Sequence, residues 1–168
     1  MQRRGFLKLG IGAAVVVGVA GAGVALIRPG WVDGKLSPGA RDVMRAAAVG
    51  VLAELLPAAG PARESALEAQ LARLDATVAA FPAATRKELS DALGLLSTAA
   101  GRYALVGLGT AWPEAKATEL QAAFNAMRLS GSQTRQQVYH ALRDLSCIAF
   151  FTEPGNWPLA GYPGPRDI

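Results

Sequence analysis

The residues of this sequence best suited to chemistry are one histidine and one cysteine, His140 and Cys147, near its carboxyl end. They are seven residues apart, so a helix would place them on roughly the same face, with Asp144 one turn after the histidine. A cysteine thiolate beside a histidine base is a nucleophilic pair used in covalent catalysis. A buried, inert thiol and a structural histidine are the commoner use of these residue types. A stand-alone enzyme using His140 and Cys147 is therefore kept as an alternative.

The rest of the chain lacks the residues of a cofactor or metal site. One cysteine and one histidine exclude an intramolecular disulfide, a cluster held by several cysteines and a multi-histidine metal centre. The segment GLGTAW supplies only Gly107 and Gly109, without the third glycine or the preceding strand of the dinucleotide fingerprint. We therefore predict no catalytic residue, no cofactor-binding residue and no metal ligand in this chain.

The first 30 residues have the layout of an export signal. Three basic residues precede 19 uncharged residues, from Leu9 to Ile27. A basic start followed by an apolar stretch is typical of segments that direct a protein across a membrane. The segment QRRGFLK resembles the twin-arginine signal, which directs folded proteins out of the cytoplasm. The residues predicted to be recognised by the twin-arginine (Tat) translocase are Arg3, Arg4, Phe6, Leu7 and Lys8.

The same apolar stretch is long enough for a membrane anchor. Nineteen helical residues span about 28 Å, close to the thickness of the hydrocarbon core of a bilayer. The small residues Ala20, Gly21 and Ala22 offer a cleavage site inside the stretch. A cleaved signal and a retained anchor both remain open, with membrane contact through residues 9–27. A buried core helix is disfavoured, because its glycines would weaken it.

The net charge of +4 is concentrated at the start of the chain. Without the three early cations, 14 basic and 13 acidic residues remain. A nearly neutral body lacks the basic surface that nucleic-acid binding requires. A signal for folded cargo on a body without cofactor ligands indicates that the cofactor belongs to a partner, to which this chain lends its signal.

The body, residues 31–168, is predicted to be all-α, a small bundle of about five helices with no convincing strand. Apolar residues recur every three or four positions in stretches separated by proline and glycine. Ser37 and Pro38 suit the N-cap and first residue of the first helix. Residues 28–39 are predicted to be a linker, and residues 101–114 are left open between a helical extension and a loop. The predicted helices are 40–56, 64–81, 84–100, 113–129 and 133–151.

The core residues of these helices follow from the same periodicity. The clearest apolar face belongs to the second helix. The predicted inward residues are Val43, Ala47, Val51, Leu55, Leu67, Leu71, Leu74, Val78, Phe81, Leu89, Leu93, Leu96, Leu120, Phe124, Met127, Val138, Leu142, Leu145 and Ala149.

The tail, residues 152–168, is dense in proline and glycine and is predicted to be irregular and non-helical. It carries aromatic residues and follows the aromatic pair Phe150 and Phe151. Such residues in a terminal segment are suited to contact another protein, and they are also suited to pack back onto the bundle. Both uses remain open. The residues predicted to bind a partner are Phe151, Trp157, Gly161, Tyr162, Pro163, Gly164 and Pro165.

The chain resembles the gluconate 2-dehydrogenase subunit 3 family in its twin-arginine start, its small helical body and its GYPGP motif at 161–165. The motif follows a helix with Tyr139 and Leu142 and the aromatic pair at 150–151. The middle of the chain contributes only helical periodicity to the resemblance.

This resemblance implies a non-catalytic small subunit that binds a large subunit of the glucose–methanol–choline (GMC) oxidoreductase family. The large subunit holds FAD and oxidises a sugar, a sugar acid or an alcohol. In many such complexes a multihaem cytochrome c subunit, which holds haem c, takes up the electrons. The expected location is the periplasm, after export by the twin-arginine pathway. A membrane-anchored structural protein without a redox partner is a second alternative.

Overall fold

Five longer helices pack around a common core in the computed structural model, which describes residues 27–165. They are α1 (Pro38–Leu52), α2 (Pro61–Ala79), α3 (Ala83–Ser97), α4 (Ala117–Arg128) and α5 (Gln133–Phe151). The predicted all-α bundle is confirmed, and α5 begins and ends at the predicted residues. Residues 1–26, which include the five predicted translocase-recognition residues and most of the predicted signal or anchor, lie outside the described residues.

No helix within residues 27–165 combines the length and the apolar character needed to cross a bilayer.

Helix α1 lies at the centre of the bundle and contacts each of the other four helices. It can do so because it is rich in small residues, among them the buried Ala40 and Ala47. Gly50 leaves space for α4, since a Cβ there would lie 2.6 Å from the ring of Phe124 on α4. The predicted inward residues are buried, except for four that are half-buried: Val51, Leu55, Phe81 and Leu89.

Part of the predicted linker is a β-hairpin of two short antiparallel strands, β1 (Trp31–Val32) and β2 (Lys35–Leu36). Asp33 and Gly34 form its turn with φ values of 50° and 80°, as a tight Asp-Gly hairpin turn requires. Strands of two residues are too short to produce a recognisable alternation in the sequence, which is why no strand was predicted.

The hairpin is fixed to the bundle by backbone donors. Gly30 donates its N–H to the carbonyl oxygen of Ser90 on α3 at 2.9 Å. Leu36 donates its N–H to Oδ1 of Asp75 on α2 at 2.9 Å. The hairpin therefore bridges α2 and α3 at the start of α1.

A row of ion pairs joins α1 to α2. Arg41 pairs with Glu68 at 2.8 Å and with Asp75 at 3.1 Å. Arg45 pairs with Glu64 at 2.7 Å and also with Glu68. Asp75 is the least exposed of these carboxylates, at 15% of its side chain, and it also holds the hairpin. The other pairs are more exposed, so each contributes little to stability by itself.

Residues 101–114, left open by the sequence, form a turn-rich connection between α3 and α4. One π-helical turn spans Arg102–Val106 and ends at Gly107, whose φ of 80° is left-handed. A 3-10 turn, Trp112–Glu114, precedes α4, which is why α4 begins at Ala117 and not at the predicted residue 113. Trp112 anchors the connection, because it is buried and its Nε1 donates to the carbonyl oxygen of Leu96 at 2.8 Å.

Candidate partner-binding surface

The tail folds back over the carboxyl end of α5. Residues Pro154–Ala160 form a 3-10 helix, where the sequence pattern predicted no helix. Proline is compatible with its first turn because the N–H of that position would have no partner within the helix. Gly161 ends the 3-10 helix with a left-handed φ of 76°. Residues 162–165 continue without regular structure, as expected.

Side chains cap the last carbonyl groups of α5, and two of those side chains belong to the tail. The last four carbonyl groups of any α-helix lack partners within the helix, so a covered helix end needs donors from elsewhere. Three successive oxygens accept bonds of 2.8 Å: Ala149 from Nε of Arg73, Phe150 from Nδ2 of Asn156, and Phe151 from Nε1 of Trp157. These bonds explain why a segment rich in proline and glycine has a defined position.

Trp157 and Tyr162 lie side by side, with ring centroids 5.6 Å apart and ring planes inclined by 55°. The N–H of Tyr162 donates to the carbonyl oxygen of Trp157 at 3.1 Å, which holds the two residues in register. A Cβ at Gly164 would lie 3.7 Å from the indole, so the chain passes next to the ring there. We call Trp157 to Pro165 the tail patch.

The predicted partner-binding residues do not all have the same exposure. Tyr162, at 51% exposed, is accessible, as are the residues Gly161, Pro163 and Pro165. Trp157 and Gly164 are half-buried. Phe151 is half-buried against a small apolar cluster that contains Phe150, so it contributes mainly to the packing of α5.

Two accessible apolar side chains near the tail were not predicted from sequence. Leu159 is 57% exposed in the 3-10 helix, and Ile148 is 42% exposed on α5. Ile148 lies beside the row of inward apolar residues on α5 and not in it. Its position outside that helical period could have predicted from the sequence that it is exposed. Leu159 gave no such signal, because the prolines and glycines around it have no helical period.

The structure does not bring His140 and Cys147 into contact. Seven residues along an α-helix correspond to a rise of about 10 Å. His140 is exposed, and its ring packs edge-on against Tyr139 with centroids 5.2 Å apart. Asp144, which the sequence spacing offered as an acceptor for His140, instead accepts two bonds from Arg143, at 2.9 and 2.7 Å. The geometry of a base that activates a thiol is therefore not formed here.

Burial raises the pKa of the Cys147 thiol; nearby Arg143 lowers it, and Asp144 adds to the increase. Iodoacetamide should therefore alkylate Cys147 in the folded chain with a pH profile displaced to higher pH than in the urea-unfolded chain, because only the thiolate reacts. Arg143→Gln should displace the profile further, since it removes the opposing cation. A folded-state profile at or below the unfolded one would contradict this.

The same shift predicts a pH dependence of stability. The folded chain retains this proton at pH values where the unfolded chain has released it. The contribution of the thiol to stability is therefore complete below its unfolded pKa and is lost as pH rises through its folded pKa. Cys147→Ala should remove this component of the pH dependence in urea unfolding measured between neutral and alkaline pH.

Residues 27–165 contain no group of three or more histidine, cysteine, aspartate or glutamate side chains arranged to hold a metal ion. Comparisons with protein-family models, curated proteins and solved structures find no match. The function must therefore be inferred from the sequence pattern and from the surface that the tail forms.

Trp157→Phe tests how the tail is held, because it keeps an aromatic ring but removes the donor to Phe151. A hydrogen bond of this type contributes about 1 kcal/mol, so opening of the tail should increase about fivefold. Hydrogen exchange of the backbone amides of Gly161 and Tyr162 measures that opening. Trp31→Phe is the matched control, since the Trp31 indole donates no hydrogen bond within residues 27–165. Unchanged exchange in the Trp157 variant would show that the tail is held in another way.

Proposed function

We propose that this chain is the non-catalytic small subunit of a periplasmic flavin dehydrogenase complex. It binds a GMC-type large subunit that carries FAD, assists its maturation and directs it through the twin-arginine translocase. The two then remain bound, and the large subunit oxidises a sugar, a sugar acid or an alcohol. A multihaem cytochrome c would take up the electrons. The family resemblance supplies the identity of the partner.

The observation that carries the proposal is a segment resembling a twin-arginine signal on a chain with one histidine and one cysteine. Proteins that fold before export often do so to acquire a cofactor in the cytoplasm. The sequence predicts no cofactor ligand in this chain, so we assign the cofactor to a second protein. The tail patch supports the assignment, because it combines exposed aromatic and proline residues, the kind of surface that is enriched at protein interfaces.

The tail patch is also suited to binding because it has a defined conformation. Its position is set by hydrogen bonds to the end of α5, so a partner need not pay the full entropy of ordering an extended segment. A small subunit that binds only the folded partner raises the partner's free energy of unfolding. The increase is about 2.7 kcal/mol when the concentration of free small subunit is a hundred times Kd. Maturation and export are thereby linked through one contact.

The test is recovery of the tagged chain from the periplasm of its host. The expected result is a co-purified flavoprotein that releases FAD on denaturation. Trp157→Ala with Tyr162→Ala should greatly reduce that recovery, because aromatic residues dominate binding energy at interfaces. Tyr103→Ala is the matched control, since Tyr103 is 69% exposed and lies outside the tail.

Two outcomes would overturn the proposal. Recovery without any flavoprotein would leave the membrane-anchored structural protein as the better account. Turnover by the purified chain, lost on His140→Ala, would favour the stand-alone enzyme.

A further inference from the structure

A cleft of about 400 Å³ lies between the tail, α2 and the turn that follows α1. Its walls are mostly apolar, formed by Leu55, Leu56 and Pro57 after α1, Ala69 on α2, and Leu159 in the tail. Its volume is within the range of pockets that accept small ligands, about 300–1,000 Å³. The cleft therefore has room for a long side chain and part of a neighbouring residue.

Three polar side chains in this cleft each donate a hydrogen bond to another part of the fold. All three donate to carbonyl oxygens near the carboxyl end of α5. The bonds run from Nε2 of Gln70 to Ser146 at 3.3 Å, from Nε of Arg73 to Ala149 at 2.8 Å, and from Nδ2 of Asn156 to Phe150 at 2.8 Å. These donors are thus committed to holding α5 and the tail.

The cleft is lined by acceptors of two kinds, a buried amide oxygen and exposed carboxylates. Gln70 is only 4% exposed, and its Oε1 accepts no hydrogen bond from the described residues. A buried amide oxygen without a donor is costly, and native proteins rarely leave one unmet. Glu54 and Glu153 also line the cleft, and neither forms an ion pair within residues 27–165.

The local charge of the cleft favours a cation. Glu54 and Glu153 carry two negative charges, and Arg73 carries one positive charge. Helix α5 ends beside the cleft, and the partial negative charge of its carboxyl end already faces the capping guanidinium of Arg73, so the two glutamates are the excess negative charge. A ligand that supplies positive charge and apolar surface would complement the two carboxylates and the apolar walls of the cleft.

We infer that this cleft binds an arginine or lysine side chain, flanked by an apolar residue, from a segment of the partner protein. The existence of that partner rests on the proposed function, whereas the chemistry of recognition comes from the cleft. Glu153, Asn156 and Leu159 line the cleft and belong to the tail that also carries the tail patch. A partner on the tail patch would therefore lie next to the cleft.

The first experiment tests the cleft without the partner. The probe is the peptide Ala-Leu-Arg-Leu-Ala, titrated into the full-length chain in nonionic detergent at low salt and followed by NMR. The side-chain amide signals of Gln70 and Asn156 report on the cleft. The arginine peptide should shift these signals and bind about fivefold more tightly than the same peptide with norleucine in place of arginine.

Two double variants with the same charge change separate the cleft from general attraction. Glu54→Gln with Glu153→Gln should abolish the preference for arginine, while glutamine at 153 still offers an oxygen to the N–H of Gly155. Asp33→Asn with Glu114→Gln changes exposed carboxylates outside the cleft and should leave the preference intact. An equal affinity for both peptides, or an equal loss in both double variants, would overturn the inference.

The second experiment uses the purified complex with the flavoprotein. A photoreactive benzoylphenylalanine at Ala69 should crosslink to a partner segment that contains arginine or lysine next to an apolar residue. Crosslinks only to segments without a basic residue would overturn the inference and leave the proposed function standing. If no flavoprotein is recovered, the proposed function fails, and so does the inference that a segment of that partner fills the cleft. The peptide titration alone then decides whether the cleft prefers a basic side chain.

Discussion

Replacing Arg3 and Arg4 together by lysine is expected to retain both this chain and the flavoprotein proposed as its partner in the cytoplasm. The substitution keeps the charge, so general attraction to the membrane is unchanged. It removes the planar guanidinium groups, whose donors bind in a fixed geometry that a lysine ammonium cannot reproduce. Immunoblots of cytoplasmic and periplasmic fractions, together with periplasmic dehydrogenase activity, measure the outcome.

Arg28→Lys is the matched control, because it makes the same chemical change outside the twin-arginine segment. It should leave export intact. If the double variant still reaches the periplasm, the signal is not of the twin-arginine type. If this chain is retained but the flavoprotein is exported, the two do not share one signal.

Trp112→Ala is expected to cost about 3–5 kcal/mol of unfolding free energy. Trp112 is 4% exposed and packs within the main core, so its removal leaves a cavity among buried side chains. The variant also removes the indole donor to the carbonyl oxygen of Leu96. Small domains have a total stability of about 5–15 kcal/mol, so a loss of this size could unfold the chain.

Urea unfolding followed by far-ultraviolet circular dichroism measures this loss. Trp157→Ala makes the same substitution at a half-buried position in the tail and should cost much less. Trp112→Phe should fall between the two, because it keeps most of the apolar volume and loses the hydrogen bond. Equal losses for Trp112→Ala and Trp157→Ala would show that residues 101–114 are not anchored through Trp112.

The helical bundle was predictable because the apolar residues along each helix recur every three or four positions. Ser132 starts α5 by accepting the N–H of Arg135, and the prolines of the tail follow its end, so both limits were visible in the sequence. The connection containing Trp112 was not predictable in this way. Its π and 3-10 turns have other periods, and its position depends on the distant Leu96.

The candidate surface was predictable in composition but not in geometry. Trp157 and Tyr162 were visible as aromatic residues among prolines. The cap of Ala149 by Arg73 joins residues 76 positions apart, and no local pattern announces it. Gln70 is likewise a polar residue among the inward positions of α2, and only the fold shows that its donor is used and its acceptor is not.

The capping of α5 by tail side chains makes the last turn of that helix and the docking of the tail one thermodynamic unit. Fraying of Phe151 would release Trp157, and undocking of Trp157 would expose the carbonyl group of Phe151. A ligand that binds only the docked tail must therefore tighten the helix end, and by reciprocity a firmer helix end must strengthen binding by the same factor. Substitutions that loosen the helix from inside the core would then weaken association without touching the ligand.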